Sequence, residues 1–387
     1  MADSRALLPP SLPGPGPRSV LLAGGGSAGH VSPLLALADT LRSRWPELAV
    51  TALGTSTGLE ARLVPQRGYD LRVIPRVPMP RRPNVQALRF PAGLAAAVRA
   101  AGEAIDAVGA EVVVGFGGYV SSPAYLAARR RRIPIVVHEQ NARPGFANRL
   151  GARLTPYVAT TFASTSLPHA TLVGMPLRPE ITSLDRAAQR QEARELFGLT
   201  PDATTVLVTG GSLGAQRLND AFASVADRFA PAGIQVLHAT GAGKDFHPPE
   251  GSASAPPYVI RAYLDRMDLA FAAADLVVAR AGANTVCELT AVGLPAIYVP
   301  LPIGNGEQRF NVADVVAAGG GLVVDDADVT PEWVAATVIP LALDRARLAV
   351  MGEAARSVGR LDAADHLADL VVDAWRSGKA RRLGESS

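Results

Sequence analysis

Val20-Leu21-Leu22-Ala23-Gly24-Gly25-Gly26-Ser27-Ala28-Gly29-His30 is the stretch that decides the fold. Four apolar residues run into a glycine turn, and a helical pattern follows from Pro33 to about Arg44. The reading is strand, loop, helix. The same grammar recurs. Val112-Val113-Val114 enters Gly115-Phe116-Gly117-Gly118, then a helix from about Pro123 to Arg130. Ile135-Val136-Val137 follows and enters His138-Glu139-Gln140-Asn141. In the second half, Thr205 to Thr209 enters Gly210-Gly211-Ser212-Leu213-Gly214, with a helix from about Gln216. Leu276 to Ala279 enters Arg280-Ala281-Gly282-Ala283-Asn284, with a helix through Glu288, and Ala296 to Val299 enters Pro300-Leu301-Pro302. Short apolar strands alternating with helices predict an α/β protein whose parallel sheets are covered on both faces.

The halves echo each other. Pro134 opens a strand and Asn148 follows it by 14 residues; Pro295 opens a strand and Asn311 follows it by 16. Shared ancestry and shared α/β grammar both account for this, and either gives two Rossmann-like domains. The break falls near Gly174-Met175-Pro176-Leu177-Arg178-Pro179, where Pro and Gly punctuate the chain. The expected layout is domains at 18–177 and 178–359 and a last helix at about 360–376. A disordered tail is expected at 1–17, which holds five prolines, and a polar, frayed one at 377–387.

With 387 residues, 48% of them hydrophobic and 19% charged, each domain can bury a core, which excludes a wholly disordered or fibrous chain. The net charge, 38 − 35 = +3, is too balanced for a nucleic-acid coat. Cys287 is the only cysteine, so there is no disulfide framework or cysteine metal cluster, and a reducing compartment fits. No apolar run approaches the roughly 18–20 residues that cross a bilayer.

In doubly wound sheets, ligands bind beyond the carboxyl ends of the strands, where the glycine loops sit; two such ends facing one another would form an inter-domain cleft. Gly24-x-Gly26-x-x-Gly29 matches the dinucleotide fingerprint, yet the acidic residue expected about 20 positions on is missing. The second strand ends near Thr51 to Thr55, with no carboxylate before Glu60. No phosphate loop of the GxxxxGK[ST] type occurs. Each glycine loop can still admit a phosphate or sugar to the backbone at a helix start, or be only a tight turn.

Six motifs now stand in order: the Gly24–His30 loop, Gly115-Phe116-Gly117-Gly118-Tyr119-Val120-Ser121, His138-Glu139-Gln140-Asn141, Gly210-Gly211-Ser212-Leu213-Gly214-Ala215, Arg280-Ala281-Gly282-Ala283-Asn284-Thr285-Val286-Cys287-Glu288, and Glu307-Gln308-Arg309-Phe310-Asn311. Together, from about Arg18 to about Trp375, they resemble the MurG family of bacterial N-acetylglucosaminyltransferases of peptidoglycan synthesis. The resemblance implies a GT-B fold: two Rossmann-like, doubly wound domains facing across a cleft, the final helix returning to the first. It implies inverting transfer of GlcNAc from UDP-GlcNAc to the C4 hydroxyl of MurNAc in undecaprenyl-diphospho-MurNAc-pentapeptide. No metal and no other cofactor are implied.

Roles carry over residue by residue. Glu288 matches the ribose-binding glutamate; a carboxylate can accept two hydrogen bonds from a cis-diol. Ser212 matches a serine on the donor diphosphate, and Arg178 an arginine that approaches the donor and could stabilise the leaving UDP. Leu264 matches the uracil contact made through backbone groups, and Ala283 and Asn284 lie in the donor motif. Gln308 matches a glutamine on the GlcNAc hydroxyls, Asn311 an asparagine beside it, and Asn141 one reaching the donor sugar. Glu307 stands where glutamine is usual. Ser27 replaces a threonine and Ala28 a glycine in the first loop, which also contains Gly29. His30 is the candidate general base, or a group that only binds acceptor or diphosphate. Glu139 is the rival base, or a carboxylate that pins its loop. Gly117, Gly118, Tyr119 and Ser121 are expected on the acceptor side.

Between Leu71 and Gly102 there are six arginines and no Asp or Glu, interleaved with apolar residues. Such a mixture suits an anionic membrane surface, met here through Arg81, Arg82, Arg89 and Phe90. The alternative is a solvated face; a nucleic-acid patch would want more aromatic residues. A lipid acceptor favours a peripheral enzyme on the cytoplasmic face of the cell membrane. The alternatives are another GT-B UDP-sugar enzyme, such as a glycolipid glycosyltransferase or a UDP-GlcNAc epimerase, and a non-catalytic UDP-sugar or lipid-binding partner. Asp326-x-Asp328 spells the DxD of metal-dependent transferases but lies far along the chain from every glycine loop, and is read as chance.

Overall fold

The structure is a computed structural model. It describes residues 14–77, 85–211, 214–244, 246–247, 255–302 and 306–384, without the side chains of 85–89 and 382–384. The chain forms two compact units. The first comprises Met1–Gln140, Pro144–Pro176 and Asp362–Ser387; the second comprises Asn141–Arg143 and Leu177–Leu361.

The first unit holds a seven-stranded sheet: β1 Ser19–Ala23, β2 Ala49–Gly54, β3 Asp70–Val73, β4 Val112–Gly115, β5 Ile135–Glu139, β6 Tyr157–Thr160 and β7 Ala170–Leu172. Its order is β3-β2-β1-β4-β5-β6-β7, and every pairing is parallel. The order reverses between β1 and β4, so both first-half glycine loops leave the sheet at its switch point.

Alternation along β1 explains why both faces are covered. Val20 and Leu22 join one core with Leu34, Leu37, Leu41, Val114 and Phe116. Leu21 and Ala23 join the other with Ala97, Ala101, Val113, Tyr125 and Val137. The last helix, Ala363–Gly384, adds Leu367, Val371 and Trp375 to the first of these cores. Arg44 reaches it with contacts of 2.6 Å to both Asp365 and Asp369. That helix continues well past 376, through most of the stretch expected to be a frayed tail. At the other end, most of 1–17 lies outside the described residues, but the Trp45 indole donates to Gly14 O at 3.1 Å.

The second unit holds β8 Thr204–Thr209, β9 Ile234–Ala239, β10 Tyr258–Arg261, β11 Leu276–Arg280, β12 Ala296–Val299 and β13 Gly321–Val323. They run parallel in the order β10-β9-β8-β11-β12-β13. The switch point lies between β8 and β11, where the Gly210 and Gly282 loops emerge. Val206, Val208, Val236, Val278 and Val299 pack on Phe222, Phe229, Leu341 and Met351. Among the described residues no helix is long and apolar enough to cross a membrane.

Asn141–Arg143 group with the second unit, although the sequence reading left them in the first. The reason is local: Ala142 N donates to Asn311 Oδ1 at 2.9 Å, and the Arg143 guanidinium lies 3.9 Å from the centre of the Phe310 ring.

Candidate active site

In the first unit, Ser27 is extended at the start of helix Ala28–Arg44 and His30 sits in its first turn. His30 Nδ1 lies 3.2 Å from Gly25 O and 3.0 Å from Ser27 Oγ. A carbonyl oxygen can only accept, so the Gly25 contact favours the tautomer with the proton on Nδ1 and the lone pair on Nε2. Burial lowers the imidazole pKa, against opposing contributions from Gly25 O and the Glu60 charge. The ring is therefore neutral at neutral pH. Gly117 and Gly118 flank it, both with φ in the left-handed range. A Cβ on Gly118 would stand 2.7 Å from Gly25 O, so the two loops meet there only as glycine against carbonyl.

The other first-unit candidates separate into supports and surface. Ser121 is fully buried: its hydroxyl accepts from Gly117 N and reaches Ala23 O and Gly117 O, holding the loop from behind. This corrects the expectation that it faces an acceptor. Among the described residues, the buried Tyr119 hydroxyl has no hydrogen bond of normal geometry. Gly29 lies in the first helical turn. Glu139 falls inside β5 rather than in a loop, and its Oε2 accepts from Gly145 N at 2.9 Å and Asn148 Nδ2 at 3.0 Å. His138 is enclosed, donating from Nε2 to Gly174 O at 2.8 Å; burial lowers its pKa to about 4.

In the second unit the loop after β8 is fixed by its glycines: at Gly214, φ is +67° and a Cβ would run into the Thr240 carbonyl. Ser212 lies outside the described residues. Helix Ala283–Ala291 begins with Ala283 and Asn284 and carries Glu288, whose Oε1 is 3.4 Å from Arg178 Nη2. Burial raises the Glu288 pKa, and Arg178 opposes it. Arg178 Nε is buried without a partner among the described residues. Cys287 is partly buried, and burial pushes its thiol pKa up, which makes it a poor nucleophile. Leu264 is buried just beyond β10. Gln308 Oε1 accepts from Leu301 N at 2.9 Å. Asn311 is buried, bound to Ala142 N, Ala281 O and Asn141 Oδ1, so it holds the Ala281 and Asn141 segments rather than offering its amide to a ligand.

Two features escaped the sequence reading. Glu60, passed over because it sits too far along for a dinucleotide site, is buried beneath the first glycine loop. Asp326 is no stray. Its carboxylate binds Arg280 at 2.6 Å and Arg217 at 3.0 Å, joining β11 to the helix after the Gly210 loop. The neighbouring Asp325 pairs with Arg309 on helix Glu307–Asn311. The glycine loops gave no signal for these pairs, which form through residues more than a hundred positions apart in the case of Arg217.

A cavity of about 550 Å3 lies at the opposite, amino-terminal end of the second sheet, lined in part by Arg186, Arg190, Asp275 and Arg356. Arg186 donates there to the carbonyls of Phe271, Ala274 and Gly293, and Arg356 to that of Val292. These cations close helix ends, a structural use, and the candidate residues are elsewhere.

The glycosyltransferase family 28 N-terminal domain matches residues 20–160, and the family 28 C-terminal domain matches 205–367. A UDP-N-acetylglucosamine–N-acetylmuramyl-(pentapeptide) pyrophosphoryl-undecaprenol N-acetylglucosamine transferase of Leifsonia xyli is 58% identical over 351 residues, 91% of this chain and 97% of that protein. The protein of the same name from Streptomyces coelicolor is 53% identical over 94% of this chain and 100% of its own length. The crystal structure of Acinetobacter baumannii MurG superposes with a TM-score of 0.73 at 29% identity, covering 92% of this chain and 99% of that one. The two parallel sheets, the glycine loops at both switch points and these matches agree: the chain has the two-domain α/β GT-B fold and belongs to glycosyltransferase family 28, among the MurG proteins.

Proposed function

We propose that this chain transfers N-acetylglucosamine from UDP-GlcNAc to the C4 hydroxyl of MurNAc in undecaprenyl-diphospho-MurNAc-pentapeptide, with inversion, forming the lipid-linked disaccharide precursor of peptidoglycan. The observation that carries the reading is the largely buried Glu288 carboxylate, whose ion-pair partner among the described residues is Arg178 at 3.4 Å, beside the second switch point. Such a carboxylate can accept both hydroxyls of a ribose, which leaves Arg178 to meet the diphosphate. The names carried by the relatives support the substrate pair.

The chemistry follows from the groups. As the C4 oxygen attacks the anomeric carbon, His30 Nε2 accepts its proton. The bond from that carbon to the UDP oxygen breaks with its electron pair, and one displacement inverts the centre. The charge gathering on UDP meets the Arg178 guanidinium and backbone N–H groups of the Gly210–Gly214 loop. Glu139, committed to Gly145 and Asn148, is the weaker candidate base. Gly117, Gly118 and Tyr119 border the acceptor. The enzyme works as a peripheral protein at the cytoplasmic face of the cell membrane. Arg81 and Arg82 lie outside the described residues, as does the Arg89 side chain; Phe90 is partly exposed.

Incubation with UDP-GlcNAc and a MurNAc-diphosphoryl lipid, with and without EDTA, tests the reading. UDP release with a β-linked disaccharide lipid in both arms is expected. An epimerised sugar nucleotide, or binding without turnover, overturns it. Co-sedimentation with anionic but not neutral vesicles tests the membrane site; equal binding to both removes it.

A further inference from the structure

Glu60 has no solvent exposure, yet its carboxylate is ionised. Burial would raise its pKa, but N–H groups of Gly26, Thr55 and Glu60 itself and the Thr55 hydroxyl outweigh that and lower it. Its two oxygens divide the work. Oε1 accepts from Thr55 N and Thr55 Oγ1, both at 2.8 Å, and Oε2 accepts from Gly26 N at 2.8 Å. Gly26 N belongs to the peptide unit whose carbonyl is Gly25 O, the acceptor for His30 Nδ1. One peptide group thus has a carboxylate on its N–H and an imidazole on its C=O.

The neighbourhood is shaped to keep that array. A Cβ on Gly25, Gly54 or Gly58 would collide with the Glu60 side chain, and one on Gly118 would crowd Gly25 O. Nothing larger than glycine lets the carboxylate, the peptide and the second loop come this close.

We propose that Glu60 is a positioning residue for His30, acting through the Gly25–Gly26 peptide: a carboxylate–peptide–imidazole relay that holds Nδ1–H in place and leaves Nε2 as the base. A carboxylate on the N–H polarises the amide, strengthens the carbonyl as acceptor and favours the imidazolium formed as the proton arrives. It does in two hydrogen bonds what a directly bound carboxylate does in one. Among the described residues, Glu60 is the charged group that bears on His30. The facing loop offers backbone at Gly117 and Gly118, and Glu139 stands behind the neutral Asn148 amide.

The inference rests on the transferase reading above, so the parent enzyme is assayed first: no disaccharide lipid from it refutes that reading and not the relay. Given activity, Glu60→Gln is expected to lower kcat roughly tenfold to hundredfold, part of what a general base supplies. The KM for UDP-GlcNAc should stay within about twofold, since that ligand is assigned to the other unit. Loss of the carboxylate charge should move the acid limb of the kcat/KM profile to lower pH, and Glu60→Asp should restore part of kcat. An unmoved acid limb, or a raised KM with kcat intact, overturns the proposal. Should Glu60→Gln not fold, nitrogen-15 imidazole NMR on the parent protein decides, with His30→Ala as the assignment control: a bare Nε2 is expected, and an Nε2–H tautomer at pH 7.5 refutes the relay.

Discussion

Asp326 Oδ1 lies 2.6 Å from Arg280 Nη1, and both side chains are almost nine-tenths buried. Arg280 ends β11, one residue before the loop that leads to Glu288, so this pair fixes the strand end that launches the donor motif. Replacing Asp326 by Asn leaves Arg280 and Arg217 without their shared carboxylate. Breaking a partly buried charged contact costs about 1–3 kcal/mol. We expect Asp326→Asn to raise the KM for UDP-GlcNAc about tenfold with a smaller change in kcat. Unchanged donor kinetics would show that the pair serves only the fold.

His30→Ala removes the Nε2 lone pair. A general base contributes typically 10²–10⁴-fold, so kcat should fall by ~10² or more while UDP-GlcNAc binding stays nearly intact. Near-parental turnover in this variant would take His30 out of the chemistry.

Glu288→Gln keeps the shape of the side chain and removes the charge facing Arg178. A hydrogen bond to a charged group is worth about 1.5–3 kcal/mol, so UDP-GlcNAc should bind roughly 10- to 100-fold more weakly by calorimetry. Affinity equal to the parent's would place the ribose elsewhere.

The pH dependence of stability follows from two enclosed histidines, one in each unit. Burial lowers His138 to about 4 and His238 to about 3. His238 donates from Nε2 to Asn219 Oδ1 at 3.0 Å and its Nδ1 lies 2.9 Å from the Tyr258 hydroxyl, so the neutral ring is already satisfied and a second proton would place a charge in an enclosed site. Both values lie below the ~6.5 of an unfolded histidine. The unfolded chain therefore binds more protons than the folded one from about pH 6.5 downward, and stability is lost as the pH falls. The slope approaches ~1.4 kcal/mol per pH unit for each histidine. The urea midpoint should drop between pH 7 and pH 5; a constant midpoint would contradict the burial of neutral rings.

The loops at both switch points were legible in the sequence because glycine after an apolar run has few other uses. The echo of Pro134 to Asn148 and Pro295 to Asn311 was legible too, and it has a common physical content. Both asparagines are buried and donate from Nδ2 to a backbone carbonyl near a strand end, Asn148 to His138 O in β5 and Asn311 to Ala281 O just after β11. Less visible were groups whose partners are remote or are backbone. Ser121 reads as an acceptor-side residue until its three backbone contacts are seen. Glu60 and Asp326 take their meaning from Gly26 and Arg280, and no local pattern announces either. The family resemblance supplied the roles of Glu288 and Arg178; spacing alone would have left them a solvated helix residue and a hinge arginine.

The last helix has a consequence for how the protein is made. Leu367, Val371 and Trp375 complete a core whose other members begin at Val20. The first unit is thus finished only after the second, and residues through Trp375 must emerge from the ribosome before its hydrophobic face is closed. A nascent chain halted after Leu361 would carry every strand of both sheets and still expose the apolar side of the first. Quality control in the cell would meet that surface, and a frameshift within the codons of this helix would be felt in the core around Val20.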